Sequence, residues 1–511
     1  WIYLHIIKVF LKSILSLKLV NDAQKIKIFT IILISGINYP VTNQLSHTKK
    51  KKIFERKILC ETILNRSTNI YFLFCYFLFQ ALISLSCQAR SSKMYLVINV
   101  SEKKACPEIS DTRPCSKDGY NLFNTNVVFD RNGKIVSRYR KYNLFGEVMY
   151  NTTMTPEVET FSTDFNVTFG HLVCFDLMFS QPSLAVLYEK GVRNILGPMM
   201  WYSELPFLTA VQFQQAWAYS HNVNLLVAGA NSPRSGSGGS GIFAGRDGAM
   251  AAFITGNLDS RLLTATLDGD LLSNGMYILT NSLNIDSVEA QEMGMLRDHL
   301  DRYAWKPVAV DLSLGEGITT RICHFDFCCT VFTKASVLSD GPNEGRYNYM
   351  AVAYDGVRTY SGVATGGVQT CGLIACTGSD IASCGKMFTN TSLGGNVEFE
   401  EISISGSFRK TNSTQFPVSS KRSLLPLSSN QIEYQTTESE VNTEDADITM
   451  KLIGKSDHLL TFAIFGRDFS KDALVLPPSY NIILRPGFTT STSSTSPKTL
   501  ILGKRTRLDT V

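Results

Sequence analysis

Residues 171–176 read His171-Leu172-Val173-Cys174-Phe175-Asp176. This short apolar run predicts a buried strand that meets a turn, and Cys174 stands at the junction. A thiol at the end of a strand is held rigidly and stays reachable, as a nucleophile requires. Cys174 is therefore the best candidate for chemistry in the chain. The alternative remains open, because a strand cysteine is more often a small buried hydrophobe.

Further strands are predicted on both sides of this run. Two of them, at 126–130 and 133–139, flank an Asp-Arg-Asn-Gly turn typical of a hairpin. The others are expected at 94–100, 171–174, 194–197, 224–228, 241–244, 250–254 and 262–267. Capping signals and apolar spacing predict helices over 181–190 and 208–220. Strands alternating with helices indicate an α/β layered core over about 94–275.

Two charged residues upstream of Cys174 are candidates for the same site. Lys141 ends the run 135–141 that follows the hairpin turn, and Glu147 lies six positions later. A cation near a thiol would lower its pKa from about 8.5 and stabilise an oxyanion. The alternative for Lys141 is an ordinary solvated strand end. Trp201, Trp217 and Asn231 are weaker candidates for pocket walls, since core packing explains the tryptophans equally well.

After about residue 300 the helical spacing fades, and short strands rich in Thr, Val, Ser and Tyr take over. We expect a β-rich domain over 300–485, stapled by disulfides, and a loose tail over 486–511. Six of the twelve cysteines lie in this region: Cys323, Cys328, Cys329, Cys371, Cys376 and Cys384. The neighbours Cys328 and Cys329 must face different partners. Zinc binding is the rival explanation, but the paired spacing of zinc ribbons is missing.

Composition indicates an oxidising compartment and excludes little else. The clustered cysteines favour secretion, as do four Asn-X-Ser/Thr sequons at Asn151, Asn166, Asn390 and Asn412. A net charge of +5 over 511 residues gives no reason to expect a nucleic-acid partner. Lysines 49–52 and the basic residues at 504–507 are interpreted as solvated runs.

Residues 1–84 differ in character from the rest of the chain. Ile, Leu, Lys, Phe and Asn dominate, with no steady period of 3.6 or 2 and little turn punctuation. We expect this segment to be translated non-coding sequence rather than native protein, with the signal peptide lost. The apolar run 70–86 is a little short for a membrane span, so membrane association is not expected.

Several motifs, in order, resemble the vanin and biotinidase branch of the nitrilase superfamily, and in particular the vanin-like proteins of arthropods. The resemblance covers roughly 85–480 and rests on the stretches 85–90, 94–100, 124–130, 140–145, 173–177, 217–218 and 239–243, and on the C-terminal cysteine pattern. It implies an αββα sandwich, here a hydrolase domain over 85–280 that lacks its N-terminal part. It also implies hydrolysis of a linear amide C–N bond, in pantetheine or a biotinyl amide, without metal or organic cofactor.

Site residues follow from the resemblance by motif. It makes Cys174 the nucleophile, Lys141 the cation beside the tetrahedral oxyanion, and Glu147 an additional glutamate that holds the lysine. The family's general-base glutamate belongs to a Pro-Glu motif that this chain does not match. Glu55 and Glu61 lack the motif's surroundings.

The missing base leaves two classes of function open. A positioned general base contributes ~10²–10⁴-fold to the rate, so we expect this chain to be nearly inactive as an amidase. The alternative is a noncatalytic secreted relative that keeps the fold for binding. A membrane-tethered protein is a third and weaker hypothesis.

Overall fold

The computed structural model describes only part of the chain in full. It gives the backbone alone for 13–22, 25–34 and 70–80, and complete residues for 81–106, 115, 119–267, 293–309, 316–337, 345–388, 397–439 and 442–472. Several predictions lie outside these residues: the two basic runs, Glu55 and Glu61, the sequon at Asn390 and the tail.

Strands dominate the first part of the chain, with two α-helices among the described residues. The strands are β1 (Ser13–Asp22), β2 (Lys25–Ile34), β3 (Tyr95–Ala105), β4 (Tyr120–Phe129), β5 (Ile135–Arg140), β6 (Thr160–Ser162), β7 (Thr168–His171), β8 (Asn194–Met199), β9 (Glu204–Leu205), β10 (Asn224–Gly229), β11 (Ser240–Ala244), β12 (Ala249–Phe253), β13 (Leu262–Leu263) and β14 (Thr266–Leu267). The helices are α1 (Ile70–Ser92) and α2 (Ala210–His221).

These strands form two sheets. The first has the order β13-β2-β1-β3-β4-β5, with β14 also on β2, and the second has the order β12-β11-β10-β8-β7-β6. β1 pairs with β3 and β2 pairs with β1, although the sequence predicted no strand there. The predicted origin of residues 1–84 is not tested by this pairing and stays a prediction.

Alternation along β3 explains how the layers stack. Tyr95 and Val97 point to one side, where they join the cluster that includes Phe169 and Leu226 of the second sheet. The residues between them, Leu96 and Ile98, point to the other side, towards Leu85 and Ala89 of α1. Successive side chains on a strand point to opposite faces. A strand that is apolar on both faces therefore needs a packed layer on each side. Helix α2 covers the far side of the second sheet, and the predicted αββα sandwich is confirmed.

The predicted hairpin forms between β4 and β5. Asp130 Oδ1 accepts hydrogen bonds from the backbone N–H groups of Asn132 and Lys134, both at 2.8 Å. Gly133 has φ +80°, and a Cβ there would lie 2.4 Å from the carbonyl oxygen of Ser86 in α1. Only glycine fits this close approach.

Both predicted helices exist, with corrected bounds. The first is wound as a short π-helix over Ala185–Glu189, and the Leu184 N–H donates to the Ser180 carbonyl before it. The second, α2, begins after the cap Thr209, whose backbone N–H donates to Gln212 Oε1 at 3.0 Å. It ends at Asn222 in the left-handed region. Among the described residues, no helix has both the length and the apolar character that crossing a membrane requires.

The second part of the chain is built from strands, as predicted. They are β15 (Leu296–Arg297), β16 (Ala304–Val308), β17 (Ile318–His324), β18 (Phe327–Val337), β19 (Asn348–Tyr360), β20 (Ala364–Cys376), β21 (Val397–Arg409), β22 (Ser413–Lys421), β23 (Ile432–Glu438), β24 (Asp445–Leu452), β25 (Ser456–Asp457) and β26 (Leu459–Asp468). One sheet has the order β16-β19-β20-β26-β22. The other has the order β17-β18-β21-β24-β23, with β25 also on β21.

Disulfides staple this β-rich part. Cys329 on β18 is bonded to Cys371 on β20, so this bridge joins the two sheets. The remaining bridges of the described residues are Cys323–Cys328, Cys376–Cys384 and Cys106–Cys115. Cys328 and Cys329 have different partners, as predicted, and the disulfides exclude zinc as the role of these cysteines.

The β-rich part packs directly on α2. The ring of Phe213 contacts those of Phe416 and Phe465, with centroids 5.1 and 6.4 Å apart. Gln215 Nε2 donates to the Leu427 carbonyl at 2.7 Å. Helix α2 is therefore enclosed between the sandwich and the β-rich part, which explains why it is buried on nearly every side.

Candidate active site

Cys174 lies in a turn rather than in a strand. β7 ends at His171, and Cys174 begins a 3₁₀-helix over Cys174–Met178. Of the strand predicted for 171–174, only His171 lies in a strand, so the prediction is wrong for 172–174. Cys174 has φ +52°, a left-handed conformation that costs a non-glycine residue free energy and persists only where its surroundings fix it.

Asp176 fixes the start of this turn. Its Oδ2 accepts hydrogen bonds from the Val173 N–H at 3.0 Å and from the Tyr139 hydroxyl at 2.7 Å. Its Oδ1 accepts from the backbone and side-chain nitrogens of Asn143, both at 3.0 Å. The carboxyl group is fully buried. It joins the Cys174 turn to the segment on either side of Lys141.

Lys141 and Glu147 form a close ion pair. Lys141 Nζ lies 2.7 Å from Glu147 Oε2, and the lysine side chain is 2% exposed. The Phe145 N–H donates to the same carboxylate oxygen at 3.0 Å. The structure therefore brings together the two charged residues that the sequence singled out, and Lys141 is not a solvated strand end.

A chain of asparagines supports the pair from the strands. Asn124 Nδ2 donates to Glu147 Oε1 at 2.7 Å, and Asn99 Nδ2 donates to Asn124 Oδ1 at 2.6 Å. Asn126 Nδ2 donates to the carbonyl of Leu172, just before Cys174, at 3.3 Å. Sequence reasoning missed these roles. The available signal was an asparagine inside apolar strands, where this residue type is depleted.

The electrostatics differ from the sequence prediction. Burial raises the pKa of the Cys174 thiol to about 11, and the charge of Lys141 opposes this without overcoming it. Burial acts to lower the pKa of Lys141, but the charges of Glu147, Cys174 and Asp176 outweigh it, so that pKa is raised. The predicted lowering of the thiol pKa is wrong, because burial raises that pKa more than the charge of Lys141 lowers it, and the charge of Glu147 adds to the rise.

An aromatic cavity of about 30 Å³ adjoins Cys174. Its lining residues come from both parts of the chain: Phe145, Cys174, Phe175, Met178, Trp201, Tyr202, Glu204, Leu208, Leu296 and Tyr360. Of the weaker candidates, Trp201 is in this wall. Trp217 is a core residue, and the Asn231 amide donates to loop carbonyls at 2.6 and 3.2 Å.

Glu204, the charged residue of that lining, belongs to a buried ion cluster. Its Oε1 accepts a hydrogen bond from the Arg358 guanidinium, which also lies 3.1 Å from Asp298 Oδ2. The three side chains are at most 10% exposed. Burial raises the pKa of Glu204 although Arg358 opposes the shift.

Removing Arg358 should destabilise the fold strongly. Arg358→Met leaves two buried carboxylates without a counter-charge, a change that costs about 3–5 kcal/mol in buried pairs. Equilibrium unfolding in urea measures it. The control is Lys421→Met, which breaks the half-exposed pair with Asp457 and should cost no more than ~1 kcal/mol. Equal losses in the two variants would contradict the prediction.

Three carboxylates around the site already have hydrogen-bond partners. The carboxylates nearest the cavity, those of Glu147, Asp176 and Glu204, all accept hydrogen bonds from neighbouring side chains.

Comparison with known proteins gives two family matches. The carbon–nitrogen hydrolase model matches residues 77–270, and the vanin C-terminal domain model matches residues 293–472. Vanin-like protein 1 of Drosophila melanogaster is 37% identical over 407 residues, which cover 76% of this chain and 72% of that protein.

Two other curated relatives and one solved structure are also similar. The pantetheinase of Homo sapiens is 33% identical over 76% of this chain and 70% of its own length. The biotinidase of Takifugu rubripes is 33% identical over 60% of this chain and 62% of its own length. A solved amidase from Nesterenkonia sp. is 20% identical with a TM-score of 0.30, over 38% of this chain and 69% of that one.

Proposed function

The chain belongs to the vanin branch of the carbon–nitrogen hydrolase family, and from this premise we propose that it cleaves a linear amide through a thioester on Cys174. The observation that carries the proposal is the buried Lys141–Glu147 pair beside the Cys174 turn. A fixed cation beside a nucleophile is suited to the negative charge that develops on a tetrahedral oxygen. Glu147, in this proposal, holds the lysine in place.

The reaction proceeds in two steps, formation of a thioester and its hydrolysis. The sulfur of Cys174 attacks the amide carbonyl, and Lys141 stabilises the oxyanion that forms. The C–N bond then breaks, the thiol proton leaves with the amine, and a thioester remains on the sulfur. Water attacks the thioester, which releases the acid and restores the thiol. With its pKa raised to about 11, the thiol is mostly protonated at neutral pH, so a base must move its proton during the attack.

Pantetheine or a biotinyl amide is the substrate class we propose. Relatives named pantetheinase and biotinidase support this choice. Aromatic and aliphatic side chains line the cavity, which suits the uncharged chain next to the scissile amide.

We also propose that the protein is secreted. Disulfides persist in oxidising compartments, and the described residues contain four of them. Asn166 and Asn412 are exposed sequons, while Asn151 Oδ1 accepts a hydrogen bond from the Leu122 N–H at 3.0 Å.

A single-turnover experiment tests the proposal. The purified chain is mixed with pantetheine, quenched in acid, digested and analysed by mass spectrometry, while released cysteamine is quantified. We expect a pantothenoyl mass on the peptide that carries Cys174 and release of about one equivalent of cysteamine. Biocytin is tested in parallel, with a biotinyl mass expected if that amide is the substrate.

The noncatalytic alternative is favoured by one observation: the carboxylates of Glu147, Asp176 and Glu204 all accept hydrogen bonds from neighbouring side chains. It predicts neither adduct nor amine release with either amide. Steady release of amine without any adduct at Cys174 would contradict the thioester mechanism itself.

A further inference from the structure

Arg467 of β26 reaches from the β-rich part to the turn that carries Cys174. Its Nε donates to the carbonyl oxygen of Met178 at 2.8 Å, across a separation of 289 residues. The side chain is completely buried. A buried guanidinium that donates to a backbone carbonyl makes a strong, directional contact.

The rest of the guanidinium is held rigidly. Nη2 donates to both carboxylate oxygens of Asp472, at 2.8 and 2.7 Å, and Nη1 donates to the Gly367 carbonyl. The group also lies 5.0 Å from the ring centroid of Phe469. With every nitrogen engaged, Arg467 has little freedom, so the position of the Met178 carbonyl is fixed with it.

Met178 is the last residue of the 3₁₀-helix that begins at Cys174. The last carbonyls of a helix lack partners within it, and Arg467 supplies one. The left-handed backbone at Cys174 must be fixed from both sides to persist. Asp176 fixes the start of the turn and Arg467 fixes its end. Tyr360 adds a third contact, with its ring centroid 5.5 Å from that of Phe175.

We propose that Arg467 is a positioning residue, by which the β-rich part holds the Cys174 turn in its reactive geometry. The inference rests on the proposed function only where its test measures amide turnover. It assigns the second domain a direct part in the site, through the hydrogen bond from Arg467 to the Met178 carbonyl.

The test compares Arg467→Met and Arg467→Lys with the wild-type chain. Iodoacetamide alkylation of Cys174 is followed by peptide mapping at pH 8, at a temperature where near-ultraviolet circular dichroism finds each variant folded. Loosening the turn lets water reach a thiol that burial now keeps protonated. We therefore expect alkylation to be about tenfold faster or more in Arg467→Met, with a smaller rise in Arg467→Lys, which keeps one donor for Met178. Where amide turnover is measurable, kcat should fall while KM changes little.

Arg409→Lys is the matched control. Arg409 lies in the same β-rich part and pairs with Asp468 at 3.3 Å, but its side chain is 42% exposed. It should alkylate at the wild-type rate. If Arg467→Met does not fold, Arg467→Lys still decides the question. Wild-type alkylation rates in every folded Arg467 variant would overturn the proposal, and this readout holds even if the chain cleaves no amide.

Discussion

Cys174→Ala should remove both the covalent adduct and any amide turnover of the chain. Loss of a catalytic nucleophile typically lowers kcat by about 10⁴–10⁶-fold, and here no other described cysteine can replace it. Eight of the cysteines are in disulfides, and the other described cysteine outside a disulfide, Cys87, lies on α1. Single-turnover cysteamine release and the mass of the peptide around residue 174 measure the effect.

Cys87→Ala is the control for that experiment, since it removes a partly exposed thiol on a different element. It should keep the adduct at Cys174 and the wild-type turnover. Cys174→Ala removes one sulfur atom from a buried turn, so a change in unfolding free energy of about 1 kcal/mol is expected. Undiminished amine release by folded Cys174→Ala would refute the nucleophile assignment.

The layered fold was predictable because the apolar pattern of each strand shows which of its faces are buried. β3 is apolar on both faces, which is possible only for a strand covered by another layer on each side. The residue types of the turn that ends at Gly133 were sufficient to predict the hairpin of β4 and β5. Strands β1 and β2 were missed although Lys25-Ile26-Lys27-Ile28 alternates polar and apolar residues, because the composition of residues 1–84 as a whole was interpreted as non-native.

The residues of the candidate site could be predicted from the sequence, but their geometry could not. Motif positions identified Cys174, Lys141 and Glu147, and the last two are in contact; their catalytic roles stay predictions. A turn at Cys174 was predicted, but the strand before it ends at His171, earlier than the strand-like composition of 171–174 indicated. The Asp176 carboxylate accepts a hydrogen bond from the Val173 N–H, so this N–H does not pair with a neighbouring strand. A contact as distant in sequence as Arg467 with Met178 leaves no local pattern at all.

The sign of the thiol's pKa shift was beyond sequence reasoning for a related reason. A nearby cation lowers a thiol pKa, whereas burial raises it, and their balance depends on depth and distance. Here burial has the larger effect. With its pKa raised to about 11, the thiol is mostly protonated at neutral pH. Such a thiol resists alkylation and oxidation better than an exposed thiolate would.

Lys141→Met should lower both the turnover and the thiol reactivity of Cys174. Losing a donor to the oxyanion typically costs about 10²–10³-fold in kcat. Lys141 is also the cation that lowers the Cys174 pKa, so its removal raises that pKa further above about 11. At any pH below that value the thiolate fraction falls, and iodoacetamide alkylation between pH 7 and 9.5 becomes slower than in the wild type. In both proteins the rate should still rise about tenfold per pH unit across this range.

Two further variants make this prediction specific. Glu147→Gln removes a charge that raises the Cys174 pKa, so its alkylation should be faster than in the wild type, although turnover falls because Lys141 loses its partner. Lys134→Met, at an exposed position of the hairpin turn, should change neither rate. Opposite shifts at residues 141 and 147, with none at 134, are what a charged pair acting on the thiol requires. Shifts in the same direction would mean that the two variants merely loosen the turn, and that the cation does not act on the sulfur.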